Sequence, residues 1–91
     1  MNPKFSPGRL VATPAALEAL AQSGQTPVFF LQKHLSGDWG DVDDEDCLLN
    51  EQALRNGDRL LSTYTTLKGV RLWIITEADR SSTCILKPEE Y

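Results

Sequence analysis

At Arg59 the spacing of apolar residues changes from every third or fourth position to every second, and this switch constrains the fold more than any other feature. "RLLSTYTT" (59–66) puts Leu60, Ser62, Tyr64 and Thr66 on one face. "VRLWIITE" (70–77) puts Val70, Leu72, Ile74 and Thr76 on one face, with Arg71, Trp73, Ile75 and Glu77 on the other. "TCILK" (83–87) alternates Thr83, Ile85 and Lys87 against Cys84 and Leu86. Leu67-Lys68-Gly69 and Asp79-Arg80-Ser81 supply two short turns, and Pro88 ends the last strand. Consecutive strands joined so tightly predict a three-stranded antiparallel meander.

Upstream of Arg59 the signals are helical. Thr13 is a natural N-cap with Pro14 at the first helical position, where its missing N–H costs nothing. "PAALEALAQS" follows, with Leu17, Leu20 and Ala21 on one face and Gly24 as the stop. Thr26-Pro27 repeats the device before "PVFFLQKHLS", whose Val28, Leu31 and Leu35 form an apolar stripe ending at Gly37. "GDWGDVDDED" is a loop leading to a third helix, capped by Asp43 and closed by Asn56-Gly57, with Leu49 and Ala53 on its apolar face. "GRLVA" (8–12) reads as a short extended segment suited to an edge strand. The expected fold is therefore α+β: two or three N-terminal helices packed on a C-terminal three-stranded antiparallel meander, with room for an extra N-terminal edge strand. Residues 1–91 make a single small domain, with 1–7 expected as a flexible tail.

The longest apolar runs, "VFFL" and "LWII", have four residues each, far short of the roughly 20 that span a membrane. "MNPKFSPGRLV" lacks an apolar signal core, so cytoplasmic residence without a membrane partner is expected. Cys47 and Cys84 form no CxxC pair and are expected as small core-facing thiols. The net charge of −4 is unevenly placed. Residues 1–42 balance, 43–58 carry six acids against Arg55, and 59–91 carry five cations against four acids. That disfavours general nucleic-acid affinity but leaves room for a local basic face on the last third.

The acidic run "DWGDVDDED" fails as an EF-hand loop. Counted from Asp41, the sixth and twelfth positions are Asp46 and Gln52; counted from Asp38 they are Asp43 and Leu49. Glycine and glutamate are required there. The run reads as a helix start, since acids in a first turn meet the positive end of the helix dipole. An irregular metal site and an acidic docking face are the alternatives. His34, the only histidine, is expected at the surface or as a cap, where a helix C-terminus favours its protonated form. Its functional reading is a general acid or base oriented by Asp38 or Asp41. Trp39, in a glycine-flanked loop, is expected to plug the edge of the core, and Trp73 to pack from its strand. "TEADRSST" (76–83) carries more polar groups than a hairpin needs. It reads as a turn with Arg80 facing water, or as an anion site in which Arg80 joins the hydroxyls of Thr76, Ser82 and Thr83, with Glu77 or Asp79 as a base. No P-loop, nucleophile elbow or dinucleotide motif occurs, so no cofactor and no metal is expected.

With "HLSGDWGDVDDED", "NEQAL", "GDRLLSTY", "LWIITEADRSSTCIL" and "PEEY" in order, nearly the whole chain resembles a group of small proteins carried on bacterial plasmids and other mobile elements, the plasmid-related proteins. The resemblance marks His34, Asp38, Trp39, Tyr64, Asp79, Arg80 and Thr83 as distinctive, and it brings no established activity. Cys84 departs from the Thr or Val more usual there. A restriction-modification subunit label borne by some relatives does not fit, because the chain has only Asn2-Pro3-Lys4 in place of the NPPY/F motif and is too short for a methyltransferase domain. The expected function is a non-enzymatic accessory protein of a mobile element that binds another protein, with a homodimer open. Its binding residues would be Asp38, Trp39, Tyr64, Asp79, Arg80 and Ser82. The alternative is a metal-independent ribonuclease of barnase/RelE-like architecture acting on RNA, with His34, Arg80 and Thr83 as catalytic candidates.

Overall fold

The computed structural model of the protein describes residues 3–91. In chain order the elements are strand β1 (Arg9–Ala12), helices α1 (Pro14–Ser23), α2 (Pro27–Leu35) and α3 (Asp44–Asn56), strands β2 (Leu60–Thr65), β3 (Arg71–Thr76) and β4 (Ser82–Leu86), and a 3-10 turn, Pro88–Glu90. The helices start where the caps dictate. The side chains of Thr13, Thr26 and Asp43 accept hydrogen bonds from the backbone N–H groups of Ala16, Phe29 and Asp46.

The strand order is β1-β4-β3-β2. Strands β2, β3 and β4 form the expected antiparallel meander, and the N-terminal edge strand is present. That strand runs parallel to β4, with Leu10 beside Thr83 and Ala12 beside Ile85, so the sheet is mixed rather than antiparallel throughout. A tight turn enforces antiparallel pairing only between sequence neighbours, and three helices separate β1 from the meander.

One sheet face is the core face. Leu60, Ser62 and Tyr64 of β2, Leu72, Ile74 and Thr76 of β3, and Thr83 and Ile85 of β4 are all buried on it. Ala16, Ala19 and Leu20 of α1 and Phe30 and Leu31 of α2 pack against it. A second cluster, Trp39, Ala53 and Leu60, lies at the β2 end with Phe5, Val42, Cys47 and Leu54 around it.

The inward helix faces are rotated from the sequence expectation. Leu17, Val28 and Leu49 are 45%, 56% and 55% exposed, while His34 and Asn50 turn inward. A hydropathy stripe cannot anticipate this, because the inward turns are set by hydrogen bonds. Cys47 lies against the second cluster, as expected of a core thiol. Cys84 instead points to the opposite sheet face, half-buried, where desolvation, helped by Glu90 and Glu77, raises its pKa.

Asn50 explains its own position. Its Nδ2 donates to the Leu61 carbonyl at 2.7 Å and its Oδ1 accepts from the Leu61 N–H at 3.1 Å, imitating a neighbouring strand on the outer edge of β2. The loop before α3 covers the next stretch of that edge. Thr63 N–H donates to the Trp39 carbonyl at 3.0 Å and Asp41 N–H to the Thr63 carbonyl at 2.6 Å. Gly40, between them, has φ +77, and a Cβ there would lie 2.0 Å from the Thr63 oxygen. Only glycine allows this approach.

Of the expected tail 1–7, residues 1 and 2 lie outside the described residues, and from Lys4 the chain is held. Lys4 N–H donates to the Leu35 carbonyl, and the Phe5 ring packs against His34 and Trp39. Gly8, with φ +65, passes so close to the Arg80–Ser81 backbone that a Cβ would lie 2.4 Å from the Arg80 oxygen.

Asn50→Ala removes both hydrogen bonds to Leu61 and leaves two main-chain groups unpaired at a largely buried edge. Chemical denaturation should show a loss of about 2 kcal/mol or more; an unchanged midpoint would contradict the edge role.

Candidate functional site

The helix–sheet interface holds a continuous chain of polar side chains. His34 has no exposed surface. Its Nδ1 is hydrogen-bonded to Ser62 Oγ, and its Nε2 lies 2.9 Å from Thr76 Oγ1. Thr76 Oγ1 is 2.7 Å from Thr83 Oγ1, and the Thr83 hydroxyl donates to the Pro7 carbonyl at 2.7 Å. The three hydroxyl residues are themselves fully buried. Sheet register places them: Ile74 opposes Ser62 on β2, and two residues on, Thr76 opposes Thr83 on β4. The imidazole spans the diagonal between Ser62 and Thr76.

Counting hydrogens gives the direction of the chain. Thr83 has one hydroxyl hydrogen, and it goes to Pro7. Thr76 must therefore donate to Thr83, and so accepts from His34. His34 thus carries its proton on Nε2, and neutral Nδ1 accepts from Ser62. The order is Ser62 to His34 to Thr76 to Thr83 to Pro7, with every link satisfied.

Burial, helped by the nearby positive charge of Arg80, holds His34 down to about 4. This corrects the expectation of a protonated surface histidine. The helix terminus does favour the cation, but removing the ring from water outweighs it. The edges of Phe5 and Trp39 close the rest of the cage, with ring centroids 5.3 and 5.6 Å from the imidazole.

Arg80, expected to face water, folds back onto the C-terminal end of α3. Its Nη2 donates to the Ala53 carbonyl at 3.1 Å, and its Nη1 donates to the carbonyls of Asp58, Glu77 and Ala78 at 2.6, 3.1 and 3.2 Å. The negative end of the helix dipole attracts the guanidinium, and the fork suits converging carbonyls. The residue adopts φ +60, unusual for a side chain larger than glycine. Its Cζ also stands 5.7 Å from the Phe5 ring, so Phe5 touches both Arg80 and His34.

The remaining sequence candidates divide into two groups. Asp38, Trp39 and Tyr64 come together. Trp39 is 3% exposed, as a core plug should be, and donates from Nε1 to Glu51 Oε2 at 2.9 Å. The Tyr64 hydroxyl donates to the Asp38 carbonyl, and burial raises its pKa well above the usual phenol range. Asp38 is exposed and lies 3.6 Å from the Lys33 ammonium. Beside them is a cavity of about 420 Å³, walled by Phe29, Phe30, Tyr64, Asp41 and Leu67 among others. Asp79 and Ser82 join neither the His34 chain nor this cavity. Hydrogen bonds from Ser81, side chain and backbone, hold the fully exposed Asp79 carboxyl below the usual range, as in a turn. Ser82 pairs in register with Arg9 on the opposite sheet face.

Sequence reasoning missed Ser62, Phe5 and Asn50, and it grouped Thr76 with Arg80 rather than with His34. For the two hydroxyls a signal existed, since Ser62 and Thr76 interrupt otherwise apolar core-facing runs. Among the described residues, no three His, Cys, Asp or Glu side chains gather as a metal site. Nor is any helix long and apolar enough to cross a membrane. Comparison with family models, curated proteins and solved structures found no match.

The His34 environment makes stability depend on pH with a definite sign. The folded-state value near 4 lies below the unfolded value of 6.5, so the unfolded chain takes up the proton first. The neutral-histidine contribution is complete above pH 6.5 and is lost as pH falls towards 4, by up to about 3 kcal/mol. Denaturation midpoints across this window should fall steeply for the wild type and less steeply for His34→Gln, which has no imidazole to charge. Equal slopes would contradict the assignment.

Proposed function

We propose that the protein is a non-enzymatic accessory protein of a mobile genetic element and acts by binding another protein through the cavity beside α2. The observation that carries this reading is how the chemistry-bearing side chains are used. His34 has both ring nitrogens engaged by buried hydroxyls, Thr83 is fully buried, and Arg80 is committed to four main-chain carbonyls. The ring nitrogens of His34 and the Thr83 hydroxyl are thus engaged inside the fold, and the Arg80 guanidinium is turned onto the end of α3. The cavity wall, by contrast, presents Phe29 at 47% and Leu67 at 80% exposure next to the carboxylates of Asp38 and Asp41. Apolar side chains ringed by charge are the composition of a protein-docking surface. Asp38 and Tyr64, two of the sequence-stretch residues marked by the family resemblance, lie on this wall.

The reading is tested by cross-linking and co-purification from a host carrying the element, using wild type, Phe29→Asp, Leu67→Asp and, as a control on α1, Leu17→Asp. One protein should be retained by the wild type and by Leu17→Asp, and lost with both cavity variants. Capture that ignores the cavity variants would overturn this docking site. RNA cleavage by wild type that is abolished in His34→Gln would overturn the non-enzymatic reading.

A further inference from the structure

The helices cover only one side of the sheet. Their buried apolar residues cluster with the core face, and on the opposite face Tyr91, which follows the 3-10 turn, meets Trp73. That opposite face combines aromatic rings with arginines. Trp73, at the middle of β3, meets the Tyr91 ring at 5.6 Å between centroids. Tyr91 is 63% exposed and has the Arg59 guanidinium 5.3 Å from its ring centre. Arg71 stands exposed on the same face at the start of β3, and Arg9 lies on β1 beside Ser82. Among the described residues, none of these three arginines takes part in an ion pair.

The acids of the chain lie mainly along the outer edge of β2, where Asp46 of α3 borders Arg59 and Asp41 accepts from the Thr65 hydroxyl. Six of its acids fall between residues 43 and 58, on α3 and its flanks at the outer edge of β2. The face itself carries the exposed Glu77, next to Ser82, and the overlying turn adds Glu89, paired with Lys87 at 3.2 Å, and Glu90, which accepts from the Thr13 hydroxyl and the Lys87 N–H. Leu60 pairs with Thr76, so Arg59 stands level with the end of β3 while Arg71 marks its start. At about 3.3 Å per residue the two arginines are roughly 20 Å apart, with the aromatic pair between them.

We propose that this face binds single-stranded nucleic acid, with bases stacking on Tyr91 and Trp73 and phosphates meeting Arg59, Arg71 and Arg9. Stacking on an open aromatic ring needs unpaired bases, and an arginine at each end of the platform suits a backbone crossing a site of about four nucleotides. A duplex hides its bases and requires a denser basic surface than three arginines. The site is separate from the protein-docking cavity and goes beyond that reading.

Fluorescence anisotropy of fluorescein-labelled U12, dT12 and a 12-base-pair duplex, titrated with the intact protein at low salt, tests this. Trp39 is buried, so quenching of tryptophan emission on binding reports Trp73. One or both single strands should bind, the duplex at least about tenfold more weakly, and the U12 and dT12 titrations identify RNA or DNA as the ligand. With about three phosphate contacts, log affinity should fall against log salt with a slope of about −2. Arg59→Ala with Arg71→Ala should weaken binding about tenfold or more, Tyr91→Ala should weaken it, and Glu77→Gln should strengthen it. Arg55→Ala on α3 removes the same charge elsewhere and should leave affinity unchanged. Thermal unfolding checks that each variant is folded. No single-strand binding at 100-micromolar-order protein, duplex binding as tight as single-strand binding, or equal losses from Arg55→Ala and the sheet-face variants would overturn the proposal.

Discussion

A buried imidazole must find a partner for each nitrogen, and here those partners come from two different strands. Ser62 on β2 and Thr76 on β3 hold the ring of His34, so one side chain of α2 fixes that helix against the sheet. Thr83 extends the chain to β4 and, through Pro7, to the segment that leads into β1. Every strand is thereby tied, directly or through its flank, to one line of hydrogen bonds. A line of this kind specifies geometry more sharply than apolar packing, because a slip of one residue would leave buried polar groups unpaired. The low dielectric that strengthens the links also keeps His34 neutral.

Arg80 acts as a second tie at the same end of the molecule. It closes the C-terminal end of α3, binds the turn between β3 and β4, and reaches the ring of Phe5. Phe5 in turn lies against His34. The polar surplus of "TEADRSST" is thus spent inside the fold. Thr76 and Thr83 complete the buried chain, Arg80 seals a helix end, and Asp79 accepts from the backbone of its own turn.

The sequence made much of this fold legible, and the reasons are local. Thr13-Pro14, Thr26-Pro27 and Asp43 act through hydrogen bonds to the next three residues, so their helix starts could be read directly. The alternation after Arg59 likewise located β2, β3 and β4 to within a residue or so. The direction of β1 was not legible, since it depends on a partner more than seventy positions away. The burial of His34 and Asn50 was hidden for a related reason. Hydropathy assigns polar residues to the surface, whereas these two are drawn inward by groups on β2 and β3. Of the candidate site residues, the grouping of Asp38, Trp39 and Tyr64 followed from neither spacing nor period. It is set by the loop that runs along the edge of β2, where Gly40 permits a backbone approach no other residue could make.

The two sheet faces consequently have different roles. One is spent on stability, with its hydroxyls and imidazole fully paired. The other keeps unpaired arginines around an aromatic pair, while the cavity beside α2 keeps exposed apolar side chains next to carboxylates. The proposed reading rests on these surfaces. That reading depends on His34 being a structural residue with no proton to exchange near neutral pH. Nitrogen-15 NMR of the imidazole tests this most directly. The account predicts a neutral ring protonated on Nε2, unchanged as pH is lowered from 7 to 5.5; a ring that becomes imidazolium near pH 6.5, or carries its proton on Nδ1, would contradict it.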